Sequence, residues 1–235
     1  MKEIKFTIQT LSNLMIGGNE SGFLIGGIDQ HTVMDHDGKP YIPGSSFKGA
    51  FRKIIREDND KTICDIFKDY VDERIKESVE SSKNTDMNID VDKFKKNLKK
   101  GVKSESEYMF GVEGYNQSPK LMFSDIHLMG GNLGINDYFS IDAKNSIEEK
   151  DNGLLANPRI YKVARKGLIF AGTIRFRNFE KLANDDRKKV QKYVKEQLET
   201  AFNDGFYRLG NSKSRGYGHV EVKVTEIDGE KVGVS

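Results

Sequence analysis

The order of apolar patterns along the chain limits the folds that it can adopt. Residues 2–10 alternate between polar and apolar side chains, with Ile4, Phe6 and Ile8 on one face, as in a β-strand with one buried side. Residues 47–55 repeat their apolar side chains at helical spacing. With the patterns downstream, the predicted order is strand, helix, strand, strand, helix, strand. That order is typical of an α+β ferredoxin-like, or RRM-like, βαββαβ core.

The downstream elements follow from the same periodicities. Alternating or continuous apolar runs predict the remaining strands, and a helical stripe that ends at Asn-Asp-Gly predicts the second core helix. Strands are expected over 120–128, 158–164, 168–177 and 218–226, and a helix over 184–203.

The first predicted helix has a polar start. Ser45 or Ser46 is expected to be its N-cap, because a hydroxyl can accept a free N–H of the first turn. A helix N-terminus favours anions, and Lys48 and Arg52 lie near it on a common face. An ordinary capped helix with a solvated basic face is the commoner outcome. Gly49 costs about 1 kcal/mol relative to Ala inside a helix, which indicates close packing or binding there.

Two polar stretches interrupt the pattern. Residues 57–105 are rich in Lys, Asp, Glu, Ser and Asn, and are interpreted as an insertion of short helices and mobile linkers rather than a second core. Residues 129–156 are rich in Gly, Asn and Asp and are expected to project as a second excursion. The low hydrophobic share of 36% and the charged share of 31% fit this view. The chain, 1–235, is therefore predicted to be one domain with two excursions.

Composition excludes several classes of protein. The net charge is only +2, which argues against a protein that coats nucleic acid by charge alone but allows local basic patches. The single cysteine, Cys64, forms no internal disulfide, and no Cys/His cluster has zinc spacing. The N-terminus lacks a signal-peptide core, and no apolar run approaches the ~18 residues of a membrane span. The expected location is the cytoplasm, with no membrane and no zinc.

A glycine-rich loop with basic residues, 209–218, joins the last predicted helix to the last strand. Its glycines permit close approach of the backbone to a ligand, and Lys213 and Arg215 supply positive charge that suits phosphate oxygens. A flexible turn is an equally good interpretation. The segment is neither a P-loop nor a dinucleotide fingerprint, because the spacing and the following element are wrong for both.

A carboxylate and an imidazole lie close together after another glycine-rich stretch. If the backbone is extended there, Asp29 and His31 point to the same side. Such a pair could activate a 2′-hydroxyl group, and Asp29 could also hold a divalent cation. A turn aspartate and a surface histidine are the commoner outcome.

Taken together, several blocks resemble the RAMP superfamily, the RNA-binding subunits of type III CRISPR effector complexes, and are most similar to the backbone subunit of Csm-type complexes. The blocks are the glycine-rich segment that ends in Asp29, and residues 40–52, 110–111, 121–125, 157–159 and 209–218.

The resemblance implies an RRM-like core with a lid or helical insertion in 57–105 and a thumb in 129–156. It also implies that copies stack head-to-tail along a CRISPR RNA (crRNA), together with target RNA and other effector subunits. The residues that match guide-backbone contacts are Ser45, Ser46, Lys48, Arg52, Gly210, Ser212, Lys213, Ser214, Arg215, Gly216 and Gly218.

The same resemblance implies an activity. Asp29 matches the aspartate at which family members cleave guide-paired target RNA at regular intervals, with a divalent cation such as Mg²⁺ or Mn²⁺ held there. His31 is a second candidate for this catalysis. The expected function is therefore a crRNA-binding, metal-dependent endoribonuclease subunit in antiviral defence. The alternatives are a non-catalytic structural subunit, a repeat-RNA-processing ribonuclease of the same superfamily, and a small-molecule enzyme on a ferredoxin-like scaffold.

Overall fold

The computed structural model describes residues 2–17, 28–83, 102–113, 117–130, 134–150 and 153–232. Within these ranges the chain forms ten β-strands and three α-helices. They are β1 (Glu3–Thr10), β2 (Gln30–His31), β3 (Tyr41–Ile42), α1 (Gly44–Asp58), α2 (Lys61–Lys83), β4 (Lys120–Phe123), β5 (Ile126–Leu128), β6 (Phe139–Lys150), β7 (Gly153–Ala164), β8 (Ile169–Arg177), α3 (Asn184–Asn203), β9 (Val220–Ile227) and β10 (Glu230–Lys231).

The main sheet has the order β10-β9-β1-β8-β5-β3, and β4 also pairs with β8. Its pairs are antiparallel, and β1 lies in the middle between β8 and β9. The strand order β9, β1, β8 and then β4 with β5 is that of a ferredoxin-like sheet. The predicted α+β, RRM-like fold is confirmed.

The core lies between this sheet and helices α1 and α3. The Phe47 ring stacks on Phe6 from the sheet at 5.1 Å between centroids and on Phe202 from α3 at 5.4 Å. The apolar stripe predicted for the first helix is buried, including Phe51 and Ile54. Helix α3 has the bounds that periodicity predicted, because its apolar residues recur on one buried face.

The predicted N-cap of the first helix is wrong. Helix α1 begins at Gly44 with Pro43 before it, and both Ser45 and Ser46 lie inside the first turn without a capping hydrogen bond. The Gly44 N–H instead donates to Asp125 Oδ1 at 2.8 Å, so the helix start is capped from the β4–β5 turn.

The expectation of short helices and mobile linkers in 57–105 is wrong for its first part. Helix α2 is one continuous element of 23 residues. Four of its apolar residues recur at every fourth position and are buried in the same cluster as the sheet, so the insertion packs on the main core. They are Ile63, Phe67, Val71 and Ile75. Residues 84–101 of the predicted insertion lie outside the described residues.

A second, three-stranded sheet has the order β2-β7-β6. Strands β6 and β7 form a long hairpin, and the short β2 pairs with β7 in parallel. The hairpin overlaps most of the predicted excursion 129–156 and continues to Ala164, which forms a bridge to Leu14 beside the end of β1. Residues 131–133 and 151–152 lie outside the described residues. Among the described helices, none combines the length and the apolar content that crossing a bilayer requires.

Candidate nucleic-acid interface

The outer face of α1 is polar and open. Ser45, Gly49 and Lys53 follow each other at intervals of four residues, and all three are exposed, as is Ser46. A Cβ added at Gly49 would meet no atom within 4 Å, so no described part of the chain packs there. The helix face around Gly49 is therefore accessible to a partner that approaches closely.

Lys48 lies on a different side of α1, among other cations. Burial lowers the pKa of Lys48, and the positive charges of Arg52 and Lys120 lower it further. Lys48 is therefore near two other positive side chains, one of them from β4. This arrangement favours an anion close to the three amino and guanidinium groups.

Arg52 is engaged inside the protein. Its Nε donates to Glu107 Oε2 at 2.7 Å, and Arg56 Nε donates to Glu107 Oε1 at 2.8 Å. The Glu107 side chain is 0% exposed. Burial alone raises the pKa of Glu107, but hydrogen bonds from Arg56, Arg52 and the Lys103 N–H outweigh it and lower that pKa to about 2. Arg52 therefore holds the 3-10 helix Glu105–Phe110 against α1, and a phosphate contact has to use its remaining nitrogens.

The glycine loop 209–218 has a fixed shape. Gly210 and Gly218 have φ of +74° and +76°, and a Cβ at either would collide with a carbonyl oxygen, of Met15 or Leu209 respectively. The Asn211 N–H donates to Met15 O at 2.6 Å, and the Gly218 N–H donates to the carbonyl of residue 13 at 2.9 Å. The loop is therefore an ordered element packed on the chain that follows β1.

The middle of the loop faces outward. Lys213, Ser214 and Arg215 form a single 3-10 turn, between Ser212 with φ of +55° and Gly216 with φ of +94°. Ser214 and Arg215 are exposed. The N–H groups of Ser212, Lys213 and Ser214 donate to no acceptor among the described residues. The turn therefore presents donors and cations together.

The loop and α1 meet at two lysines. Desolvation lowers the pKa of Lys213, and the charge of Lys53 lowers it further. Lys53 also pairs with Glu57 at 3.5 Å. Tyr207, two residues before the loop, donates its hydroxyl to Glu57 Oε2 at 2.7 Å, so the loop begins beside the part of α1 that carries Lys53 and Glu57. Lys53 was not among the predicted phosphate contacts, although its spacing of eight residues from Ser45 places it on the same helix face.

Asp29 lies at the edge of the second sheet. Its Oδ2 accepts the Ile160 N–H of β7, and its own N–H donates to Ile160 O at 2.9 Å. Asp29 is exposed, and His31 Nδ1 lies 3.1 Å from Thr32 O. No hydrogen bond or ion pair joins the Asp29 and His31 side chains in the described parts of the chain. The carboxylate is thus anchored to the hairpin and open to solvent.

The described residues contain no group of three or more His, Cys, Asp or Glu side chains arranged to hold a metal ion. A cation at Asp29 would therefore take most of its ligands from phosphate oxygens and water. Mg²⁺ in substrate complexes is often bound in this way, with one or two carboxylates from the protein. Asp29 fits such a shared site and does not form a metal site alone.

Asp142 of β6 connects three segments. Its Oδ2 accepts Tyr217 OH at 2.6 Å and Asn13 Nδ2 at 3.1 Å, and its Oδ1 accepts Ser140 Oγ at 2.8 Å. Burial raises the pKa of Asp142, but these three hydrogen bonds lower it overall. The carboxylate therefore joins the hairpin, the glycine loop and the chain after β1. Sequence reasoning missed it, because Asp142 lies in a stretch interpreted as a polar excursion.

A small buried cluster reinforces this connection. It contains Met15, Tyr161, Val163 and Tyr217, and is separate from the main core. Tyr161 directly follows Ile160, whose N–H and carbonyl hold Asp29. The glycine loop and Asp29 therefore rest on the same packed unit.

The chain is similar to a known protein family in sequence and to a solved structure in fold. A sequence model described as the RAMP superfamily matches residues 7–221. A chain of a cryo-EM structure of the type III-B Cmr-beta bound to cognate target RNA is similar, with a TM-score of 0.56 and 16% sequence identity. The match covers 98% of this chain and 61% of that one, so this chain spans less than two thirds of the other's length. No curated protein sequence matches significantly.

Proposed function

Because the chain belongs to the RAMP superfamily, we propose that it is a crRNA-binding subunit of a type III CRISPR effector complex of the Csm type. The observation that carries this proposal is the approach of the glycine loop to α1, where Tyr207 OH donates to Glu57 at 2.7 Å and Glu57 pairs with Lys53 at 3.5 Å. Two segments about 160 residues apart in sequence combine a helix face that no described side chain covers at Gly49, cations, and N–H groups that have no acceptor among the described residues. These groups suit a phosphate backbone.

The electrostatic environment of Lys213 favours binding of a guide phosphate beside it. The lowered pKa of Lys213 reflects a positive charge that is poorly solvated and close to another positive charge. A phosphate between Lys53 and Lys213 would remove both penalties. The guide would lie along α1 near Gly49, where a larger residue would obstruct it. Further copies of the subunit, stacked head-to-tail, would continue the path of the guide beside other effector subunits.

Salt dependence tests the guide contacts. Replacing Lys53 or Lys213 by Ala is expected to lower the slope of log affinity against log salt by about 0.7 per residue, since each removes one phosphate contact on single-stranded RNA. Lys188→Ala is the matched control, because Lys188 is an exposed lysine on α3. Affinity and slope unchanged in both Lys53→Ala and Lys213→Ala would contradict the guide path.

We further propose that the subunit cleaves target RNA at Asp29. The Asp29 carboxylate would accept the proton of a target 2′-hydroxyl group while the 2′-oxygen attacks the adjacent phosphorus. The bond to the 5′-oxygen then breaks, and that oxygen takes a proton from water, which leaves a 2′,3′-cyclic phosphate and a 5′-hydroxyl end. A divalent cation, when bound, would neutralise the phosphate charge. Two features of Asp29 support this role. Its side chain is exposed, and the Ile160 N–H fixes the position of one of its carboxylate oxygens.

His31 is proposed to assist as a second proton carrier. Its Nδ1 lies 3.1 Å from the Thr32 carbonyl, and in the neutral ring this favours the tautomer with hydrogen on Nδ1. Nε2 is then the basic nitrogen. Nε2 would be available to take or return a proton near Asp29.

The cleavage proposal is tested with assembled complexes and matched target RNA. Asp29→Asn is expected to reduce cleavage by at least about 100-fold while guide binding stays unchanged, since general acid–base groups contribute about 10²–10⁴. Asp35→Asn, a change in a turn carboxylate, is the control. Parent-like cleavage by Asp29→Asn would indicate a non-catalytic subunit. Cleavage of repeat RNA by the chain alone would indicate a guide-processing enzyme.

A further inference from the structure

A cavity of about 750 Å³ lies at the end of the main sheet, between β4, β8 and the first turn of α3. Four cationic side chains line it: Lys2, Arg175, Arg177 and Arg187. The lining contains one acidic residue, Glu180. In a chain with a net charge of only +2, this is a local concentration of positive charge.

Two of these cations are partly neutralised by neighbours and two are not. Arg175 Nε lies 3.3 Å from Glu3 Oε2, and Lys2 Nζ lies 3.9 Å from an oxygen of the carboxylate at position 228. Arg177 and Arg187 form no ion pair with any described residue. The Nε of Arg187 is buried and has no acceptor within the described part of the chain. That nitrogen is closed off by the surrounding protein atoms, so a ligand would have to contact the other two nitrogens of the Arg187 guanidinium group.

The cavity also has an apolar side. Phe176 and Phe179 line it and pack edge-to-face with 5.0 Å between ring centroids. Met122 lies at the same cavity and is 43% exposed, which is high for a large apolar side chain. A ligand that uses the whole cavity would therefore combine a strongly anionic part with a flat apolar part.

The cavity is distant from the glycine loop, although Arg177 in its lining lies opposite Lys120, the neighbour of Lys48, across the β4–β8 pair. Arg175 pairs with Glu3 at the first residue of β1, whereas the glycine loop packs on the chain that follows the last residue of β1. Eight strand residues separate these two ends, which corresponds to about 25 Å. The cavity shares no lining residue with the loop or with Asp29.

We propose that this cavity binds a nucleotide. Arg177 and Arg187 bind the phosphates, because the guanidinium fork matches phosphate oxygens and neither arginine forms an ion pair with a described residue. The base lies against Met122, which is 43% exposed, and over the small accessible edge of Phe179, which is 3% exposed. A volume of about 750 Å³ is within the usual range for small-molecule sites. The site is separate from the glycine loop and from Asp29.

Direct binding of ATP to the full chain, measured by isothermal titration calorimetry, tests this site. ATP is expected to bind at least about tenfold more tightly than either adenosine or inorganic tripolyphosphate, because each of these lacks one half of the ligand. Arg177→Gln and Arg187→Gln are each expected to weaken ATP binding by about tenfold or more. Lys188→Gln, next to Arg187 but outside the cavity lining, is the control.

Several results would overturn the proposal. Tripolyphosphate binding as tight as ATP would indicate a general anion site, and tighter binding of an aspartate-rich peptide would indicate a protein partner. If ATP does not bind saturably, or if both arginine variants bind it as tightly as the parent, the cavity is not a nucleotide site. Loss of ATP binding in Lys213→Ala would indicate that ATP binds at the guide surface instead of in the cavity. Arg177 is exposed, so its substitution tests the site even if Arg187→Gln folds poorly.

Discussion

Removal of the buried charge of Glu107 is expected to destabilise the fold by about 3 kcal/mol. The pKa of Glu107 is lowered from 4.5 to about 2, since Arg56, Arg52 and the Lys103 N–H together outweigh the cost of burial. Each pKa unit corresponds to about 1.4 kcal/mol of preference for the charged form. Glu107→Gln keeps the shape of the side chain and replaces the carboxylate by a neutral amide, so it removes about this preference.

The same group makes stability depend on pH in a defined direction. Because the pKa of Glu107 is lower in the folded than in the unfolded chain, its contribution is complete above about pH 4.5. It is lost progressively as the pH falls from 4.5 towards 2. Glu107→Gln has no such carboxylate, so its free energy of unfolding is expected to fall less over this window than that of the parent.

Urea unfolding of both proteins at pH 7 and pH 3 measures this contribution. Glu196→Gln is the control, since that carboxylate forms only an exposed pair with Lys192 on α3 and is expected to change stability by less than about 1 kcal/mol. If Glu107→Gln is no less stable than Glu196→Gln at pH 7, the ion pair does not hold the 3-10 helix to α1. An equal loss of stability in parent and variant between pH 7 and pH 3 would contradict the assigned pKa.

Two further variants test the support of the proposed site. Tyr217→Phe removes one hydrogen bond to Asp142 and is expected to lower the free energy of unfolding by about 1 kcal/mol. It is also expected to lower the cleavage rate more than the guide affinity. Single-turnover assays with guide-loaded complexes compare these two losses, and equal losses would contradict the expectation. Gly218→Ala places a Cβ against the Leu209 carbonyl at a φ of +76° and is expected to destabilise the chain by about 1–3 kcal/mol or more. Gly216→Ala is the control in thermal unfolding, because Gly216 also has a positive φ, +94°, but an added Cβ there meets no atom within 4 Å. Equal melting temperatures would contradict the clash with the Leu209 carbonyl as the added cause.

The strand and helix order was predictable because it depends on local periodicity. Strand β1 alternates perfectly between half-buried and buried residues, and α3 has one continuous apolar stripe. Helix α2 has an equally regular stripe from Ile63 to Ile75, but the polar composition of its surroundings concealed it. Composition describes the average of a segment, whereas one buried face needs only every fourth residue.

Contacts between distant segments were not predictable from local patterns. The Gly44 N–H is capped by Asp125 across the β4–β5 turn, so the serines that resemble caps are not used. The glycine loop and α1 were each predicted to bind phosphate, but their approach at Lys53 and Lys213 depends on how the sheet pairs. The buried ion pairs of Glu107 have no local signal in the sequence, because its arginine partners lie about 50 residues away.

The guide-binding role is tested most directly by the RNA that the protein holds. The chain is purified with its neighbouring subunits, and the bound RNA is extracted and sequenced. The proposed function predicts RNA of defined length in which a constant repeat-derived segment is joined to variable spacer sequences, and less of it with Lys53→Ala and Lys213→Ala combined. A complex that is free of RNA, or that carries fragments of random cellular RNA, would contradict it.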